Sequence, residues 1–262
     1  MLKRVFACFM MLATLVIILV LCLAISPKGE ETFKADDVEL ALEGDIKGRI
    51  QNKVSPSPTC STQIVKEEKI AYLTFDDGPS KNTRKILDIL DKYNVKATFF
   101  VVGSLVNKEY GSLLKSMYDE GHSIGIHTFS HDYNQIYLSK EEYLKDFNKA
   151  KESIEKYVGN PIKIYRFPGG SCNCFIGKDK DDIIKELEAK NYNYYDWNVS
   201  GEDSLNNPSL DSIIRNVVKD YKNLNRPIIL LHDGVKNNNT VYSLSTIIEN
   251  LKRDGYSFGT LN

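Results

Sequence analysis

The chain lacks a basic excess. Its 34 lysines and arginines are matched by 35 aspartates and glutamates, for a formal net charge of -1. A phosphate backbone is held by surplus cationic charge, so nucleic acid is not an expected partner. Cysteine is scarce and unevenly placed. Cys8 and Cys22 lie inside an apolar N-terminal run, where a thiol behaves as a small hydrophobe. Cys60, Cys172 and Cys174 form an odd set outside it, which argues against a disulfide framework. Cys172-Asn173-Cys174 has no partner ligands at the spacing a structural zinc site requires, and its response to oxidants is left open by the sequence. Histidine is scarcer still, with four in the chain. No internal repeat is visible.

What is present begins with an uncharged run from Val5 to Ile25, about the length of a helix spanning a hydrocarbon core of about 30 Å. Lys3 and Arg4 precede it, so the positive-inside bias leaves the N-terminus in the cytoplasm and everything after Ser26 outside. A cleaved secretory signal has a shorter apolar core and a small-x-small site. The run here is longer, and Cys22-Leu-Ala-Ile-Ser-Pro27 offers no clean site. Residues 1–26 are therefore expected to be a cytoplasmic tip and single-pass membrane anchor, with secretion after cleavage as the alternative. Residues 27–68 are polar and contain Pro56-Ser57-Pro58-Thr59, the pattern of an extracytoplasmic stalk. Residues 69–262 are left for one sizeable domain, which a chain of 262 residues with 42% hydrophobic content can build. A monomer is expected.

Inside that domain strand-like and helix-period segments alternate. The strands are read at Ile70–Phe75, Ala97–Val102, Ser123–His127, Ile162–Phe167, Tyr192–Trp197, Ile228–His232 and Tyr256–Leu261. Helices are read at Ser80–Tyr93, before Gly121, from Ser139 to Gly159, and near 181–190, 210–222 and 241–253. Strict alternation argues for an α/β fold with a parallel sheet, and about seven repeats of it favour a barrel over an open sheet.

The unusual polar residues fall at strand ends. Asp76 and Asp77 close the first strand, His127 and His131 follow the third, and Arg166, Asp196 and His232 end three others. The carboxyl ends of the strands of a β/α barrel converge on one face, so these distant residues can share a pocket. Adjacent carboxylates repel unless a cation or a shared proton relieves them. Two histidines four apart can reach one ion from one turn of helix. Alone, Asp-Asp-Gly-Pro would be an ordinary turn, and the histidines would be surface residues. Together, one aspartate and two histidines make a three-ligand set that leaves positions open for water and substrate.

Thr74-Phe75-Asp76-Asp77-Gly78-Pro79, His127-Thr128-Phe129-Ser130-His131, Arg166-Phe167-Pro168, Asp196-Trp197 and Leu230-Leu231-His232 resemble the ordered motifs of the polysaccharide deacetylases, the NodB-homology domain of carbohydrate esterase family four. The resemblance runs from about Ile70 to Asn262. It implies a distorted (β/α)7 barrel and a divalent metal, zinc or alternatively cobalt, on Asp77, His127 and His131. Asp76 would be the general base and His232 the general acid, with Arg166 orienting the base and Asp196 tuning His232. Trp197 and Leu230 would line an acetyl pocket. The backbone amide after Pro168 would help hold the oxyanion; that position is Gly169, where the family carries an aromatic residue. Sugar stacking by Tyr133, Tyr194 or Tyr195 stays open, and His122 reads as structural. The implied activity is removal of N-acetyl groups from N-acetylglucosamine in peptidoglycan. Chitin oligomers, poly-N-acetylglucosamine and acetylxylan are alternatives that the motifs do not separate, and a non-catalytic wall-binding module is a further one. The intact Asp76-Asp77 pair resembles the N-acetylglucosamine branch more than the muramic-acid branch, in which the second acid is Asn.

Overall fold

Tyr72, Thr74 and Asp76 alternate with Ala71, Leu73 and Phe75 along the first strand, and that alternation sets the architecture, because successive side chains point to opposite faces of a sheet. Ala71, Leu73 and Phe75 join the main hydrophobic core under the helices. Tyr72 packs with Phe100, Ile164, Ile228 and Leu261 in a second, smaller cluster on the other face, inside the curl of the sheet. The structure is a computed structural model that describes residues 68–205 and 208–262. The expected anchor and most of the stalk lie outside the described residues, among which no helix is long and apolar enough to cross a membrane.

In chain order the elements are β1 (Ile70–Gly78), α1 (Lys81–Lys92), β2 (Thr98–Val101), α2 (Lys108–Asp119), β3 (Ser123–Ile126), the single turn α3 (Tyr133–Ile136), α4 (Lys140–Val158), β4 (Ile164–Tyr165), α5 (Lys180–Glu188), β5 (Asn193–Tyr194), β6 (Val199–Ser200), α6 (Leu210–Tyr221), β7 (Ile228–His232), α7 (Asn238–Arg253) and β8 (Ser257–Phe258). Helix ends carry the expected caps. Ser80 accepts from Asn82 N and opens α1, Ser139 accepts from Glu142 N at the start of α4, and Gly159 closes α4 in the left-handed conformation.

Every strand pairing is parallel, and the order is β5-β4-β3-β2-β1-β7-β6, with β8 beside the start of β1. The two outer strands of this order, β5 and β6, are consecutive in the chain. Laid flat, seven strands would set their edges about 29 Å apart at about 4.8 Å per gap. The five-residue step from Tyr194 to Val199 spans at most about 18 Å, so the sheet must curl. It forms a curled half-barrel, consistent with the expected distorted (β/α) barrel, whose edge strands β5 and β6 do not pair with each other among the described residues. The expected fifth strand, Tyr192–Trp197, is thereby corrected: only Asn193–Tyr194 of it is strand, as β5, and Tyr195–Asn198 crosses to the opposite edge, where an unexpected short strand, β6 (Val199–Ser200), follows.

Candidate active site

All strands run the same way, so their carboxyl ends share one rim, and the polar residues collect there. Asp76 on β1 and His232 on β7 are register partners on neighbouring strands. His127 follows β3, and its Nε2 lies 3.7 Å from Asp76 Oδ2 and 3.6 Å from Asp77 Oδ1. His131 Nε2 lies 3.2 Å from the same Asp77 oxygen. Ligand atoms of Asp77, His127 and His131 fall within 4.8 Å of one another, close enough to meet on one ion.

The donor set fits a divalent metal. Two imidazole nitrogens and one carboxylate oxygen suit zinc or cobalt and leave coordination positions free. His127 Nδ1 is 2.9 Å from the Arg166 carbonyl oxygen; that contact requires the proton on Nδ1 and turns the Nε2 lone pair toward Asp77. Burial pushes the His127 pKa below the ordinary histidine value, which keeps the ring in the neutral, ligating form.

The ligand backbone is itself unusual. Asp77, Thr128 and His131 have φ of 75, 66 and 55°, a left-handed conformation that side chains with a Cβ adopt at a cost. Phe129 N and Ser130 N, between the two histidines, both donate to the Asp146 carboxylate on α4. Gly103 N and Ser104 N bond the carbonyls of Thr128 and Phe129. Asp146 thus straps the loop that presents His131, a role the sequence reading missed because the residue sits in the middle of an amphipathic helix.

Arg166 is fully buried, with its guanidinium 4.2 Å from the Phe100 ring centroid and 5.6 Å from that of Trp197. Its Nη1 donates to Asp76 Oδ1 at 2.9 Å and to Thr74 Oγ1 at 2.8 Å, its Nε to the Tyr195 carbonyl and its Nη2 to the Asp196 carbonyl. A buried arginine needs this satisfaction to stay charged. The result pins one oxygen of Asp76 and leaves Oδ2 on the His127 side.

The partner of His232 is Asp203, not Asp196. His232 Nδ1 lies 2.7 Å from Asp203 Oδ1, and His232 N donates to Oδ2 at 2.8 Å. Thr240 Oγ1 and Asn237 Nδ2 fix Asp203 in turn. Burial alone would lower the His232 pKa, but the hydrogen bond and charge of Asp203, with Asp76 and Asp77 adding, push it up to about 9. Asp196 lies on the β4–β5 side, where its carboxylate accepts from Ser171 N and Ser171 Oγ. The crossing from β5 to β6 explains the difference. β6 neighbours β7, so it is the residue beyond β6 that reaches His232.

Leu230 is buried one alternation below His232 on β7. Gly170, with φ of 79°, lets the loop after Pro168 lie on Trp197, whose ring a Cβ there would meet at 3.0 Å. The Pro168 carbonyl is held by Tyr137 Oη and Asn173 Nδ2, while the Gly169 N–H has no partner among the described residues. Of the candidate stacking tyrosines only Tyr133 is at the site, edge-on to His131 at 5.6 Å; Tyr194 packs on Tyr165 and Phe167, and Tyr195 bonds the Asn262 carbonyl. Asp233 accepts from Thr83 Oγ1 on α1, and burial pushes its pKa up to about 7. His122 is buried away from this rim, its Nδ1 accepting from Ala97 N. Cys172 and Cys174 are exposed and free.

Comparison with known proteins gives the same answer over nearly all of the domain. The polysaccharide deacetylase family model matches residues 63–194. A peptidoglycan-N-acetylglucosamine deacetylase of Bacillus cereus is 34% identical over 217 residues, which cover 81% of this chain and 96% of that protein.

The chain belongs to the polysaccharide deacetylase family.

Among solved members of that family, the catalytic domain of peptidoglycan N-acetylglucosamine deacetylase from Eubacterium rectale superimposes with a TM-score of 0.69 at 35% identity, covering 81% of this chain and 93% of its own. A family 4 acetyl xylan esterase from Clostridium thermocellum, solved with a cobalt ion, matches with a TM-score of 0.62 at 31% identity over 73% of this chain and 88% of its own. A polysaccharide deacetylase is a hydrolase, and Asp77, His127 and His131 meet at the strand ends within reach of one ion.

Proposed function

We propose that this chain hydrolyses the N-acetyl group of N-acetylglucosamine residues in peptidoglycan glycan strands and releases acetate, with a divalent metal, zinc foremost, on Asp77, His127 and His131. One observation carries the reading: Asp76 and His232 stand side by side on adjacent strands at the rim that carries the ligand trio, and each is fixed by its own buried partner, Arg166 and Asp203. A site that only bound glycan would have no use for an oriented carboxylate and an oriented imidazolium beside a metal.

The bound ion would polarise the amide carbonyl and make the attacking water more acidic. Asp76 Oδ2, the oxygen Arg166 leaves free, takes a proton from that water as its oxygen adds to the carbonyl carbon. The Gly169 N–H donates to the developing oxyanion. His232 is protonated, with Nδ1 held by Asp203, so Nε2 gives its proton to the sugar nitrogen as the C–N bond breaks. The products are the free amine and acetate. Leu230 and Trp197 would enclose the methyl group, and the Pro168–Gly169 turn would border the reacting sugar.

The anchor read at 1–26 and the stalk at 27–68 would hold this domain on the outer side of the membrane, within reach of the wall. The test is acetate release by the full-length protein, purified in detergent and loaded with zinc, from peptidoglycan and from chitopentaose. Release from peptidoglycan that disappears in Asp76→Asn is expected. A zinc-loaded protein that releases none from either substrate would refute the proposal.

A further inference from the structure

The rim is flanked by two cavities that meet at Asp77. The one beyond Pro79 has a volume of about 550 Å³, within the range of about 300–1,000 Å³ that houses small-molecule ligands. Its apolar lining includes Leu105 and Val235, which are 40% and 57% exposed. Its charges are more telling. Apart from the metal ligands Asp77 and His131, the charged residues lining this arm are Lys81 and Lys236, and neither has an ion-pair partner among the described residues. The cavity on the other side, about 760 Å³, carries the carboxylate of Asp203 as well as Lys236.

Lys81 is the first residue of α1, whose first turn holds no acidic residue. A helix N-terminus is the positive end of the helix dipole and favours an acid there, so a lysine is set against local stability. The carboxylate at that end of the helix is the buried Asp233, which accepts from Thr83 Oγ1 and does not line the cavity. Lys81 and Lys236 are thus the cationic side chains this arm offers a ligand, beside a centre that would itself hold a metal ion.

We propose that this arm is a subsite for a carboxylate carried by a neighbour of the reacting sugar, recognised by Lys81 and Lys236. The inference rests on the deacetylase reading and deepens it: the site would prefer strands whose next residue is acidic over neutral N-acetylglucosamine polymers. Two sources present this chemistry in peptidoglycan, the lactyl acid of a muramic residue stripped of its peptide and the acidic residues of the stem peptide.

Binding tests it independently of turnover. Full-length Asp76→Asn, zinc-loaded, is titrated calorimetrically at low salt with four ligands: peptide-bearing glycan strands, peptide-stripped strands, stripped strands with the lactyl acids converted to methylamides, and chitopentaose. Acidic strands should bind about five- to tenfold tighter than the amidated ones, the scale of two partly exposed ion pairs, with the margin shrinking as salt rises. Adding Lys81→Gln and Lys236→Gln should bring the ratio toward one. An advantage for stripped strands assigns the lactyl acid, and an advantage confined to peptide-bearing strands assigns the peptide; either supports the subsite. Equal affinity for charged and amidated strands, or a preference that survives both substitutions, overturns it. Failure of the deacetylase reading would appear separately, as absence of acetate release by the wild-type protein.

Discussion

Asp76 and His232 stand side by side as register partners on β1 and β7, and each is oriented from the opposite direction: Arg166 reaches Asp76 from β4, and Asp203 reaches His232 from beyond β6. The proposed base and acid are thus held by separate elements, so substitutions in one support should leave the other in place.

Asp203→Asn should therefore move the alkaline limb of the acetate-release profile to lower pH. With a pKa of about 9 His232 is mostly protonated at pH 8. At the ordinary value of about 6.5 only about 3% would be, a loss of about thirtyfold in the acid form. A pH profile of kcat checks this, with Asp196→Asn alongside, whose limb should stay where the wild-type limb lies.

Arg166 makes four hydrogen bonds in a fully buried setting, which an ammonium cannot reproduce. Arg166→Ala should cost about 3–5 kcal/mol, because it leaves the Asp76 carboxylate buried and unpaired. Urea unfolding of the metal-free protein measures the change, and a loss below 1 kcal/mol would show that the pair is not structurally coupled.

Asp146→Asn keeps the shape of the side chain while removing the charge and one acceptor oxygen. The Phe129–Ser130 loop should loosen, and affinity for zinc should drop by about tenfold or more, as for other groups that position ligands. Competition with a chromophoric chelator gives the affinity, and excess zinc should restore acetate release.

His122 predicts an acid sensitivity unrelated to the site. Burial holds its pKa down at about 4, below an unfolded value of about 6.5. The unfolded chain then takes up a proton that the native chain does not, so this contribution to stability is present above pH 6.5 and is lost as pH falls toward 4. Between pH 7 and pH 5 the wild type should lose about 2 kcal/mol more than His122→Asn, measured by urea unfolding at both pH values.

Much of this was legible in the sequence because it depends on order and period. The strand ends carrying Asp76, Asp77, His127, Arg166 and His232 are marked by apolar runs, and parallel alternation alone brings them to one rim. Ser80, Ser139 and Gly159 mark helix ends by local chemistry. Asp203 was hidden for a topological reason: Val199–Ser200 is too short to announce a strand, and only the placement of β5 and β6 on opposite edges decides which aspartate reaches His232. Asp146 was hidden because a carboxylate on the face of a helix looks the same whether it meets solvent or two backbone amides. Periodicity also counts strands without saying whether the outermost two will pair, so the curl of the sheet was legible and the open seam between β5 and β6 was not.

The cavities that meet at Asp77 also say how a polymer would arrive. A strand laid along both would be met broadside, at any interior residue, without needing a free end to thread. Chain length should then drop out of the rate beyond a few sugars, and the free amines left behind should be scattered along each strand instead of spreading inward from its termini.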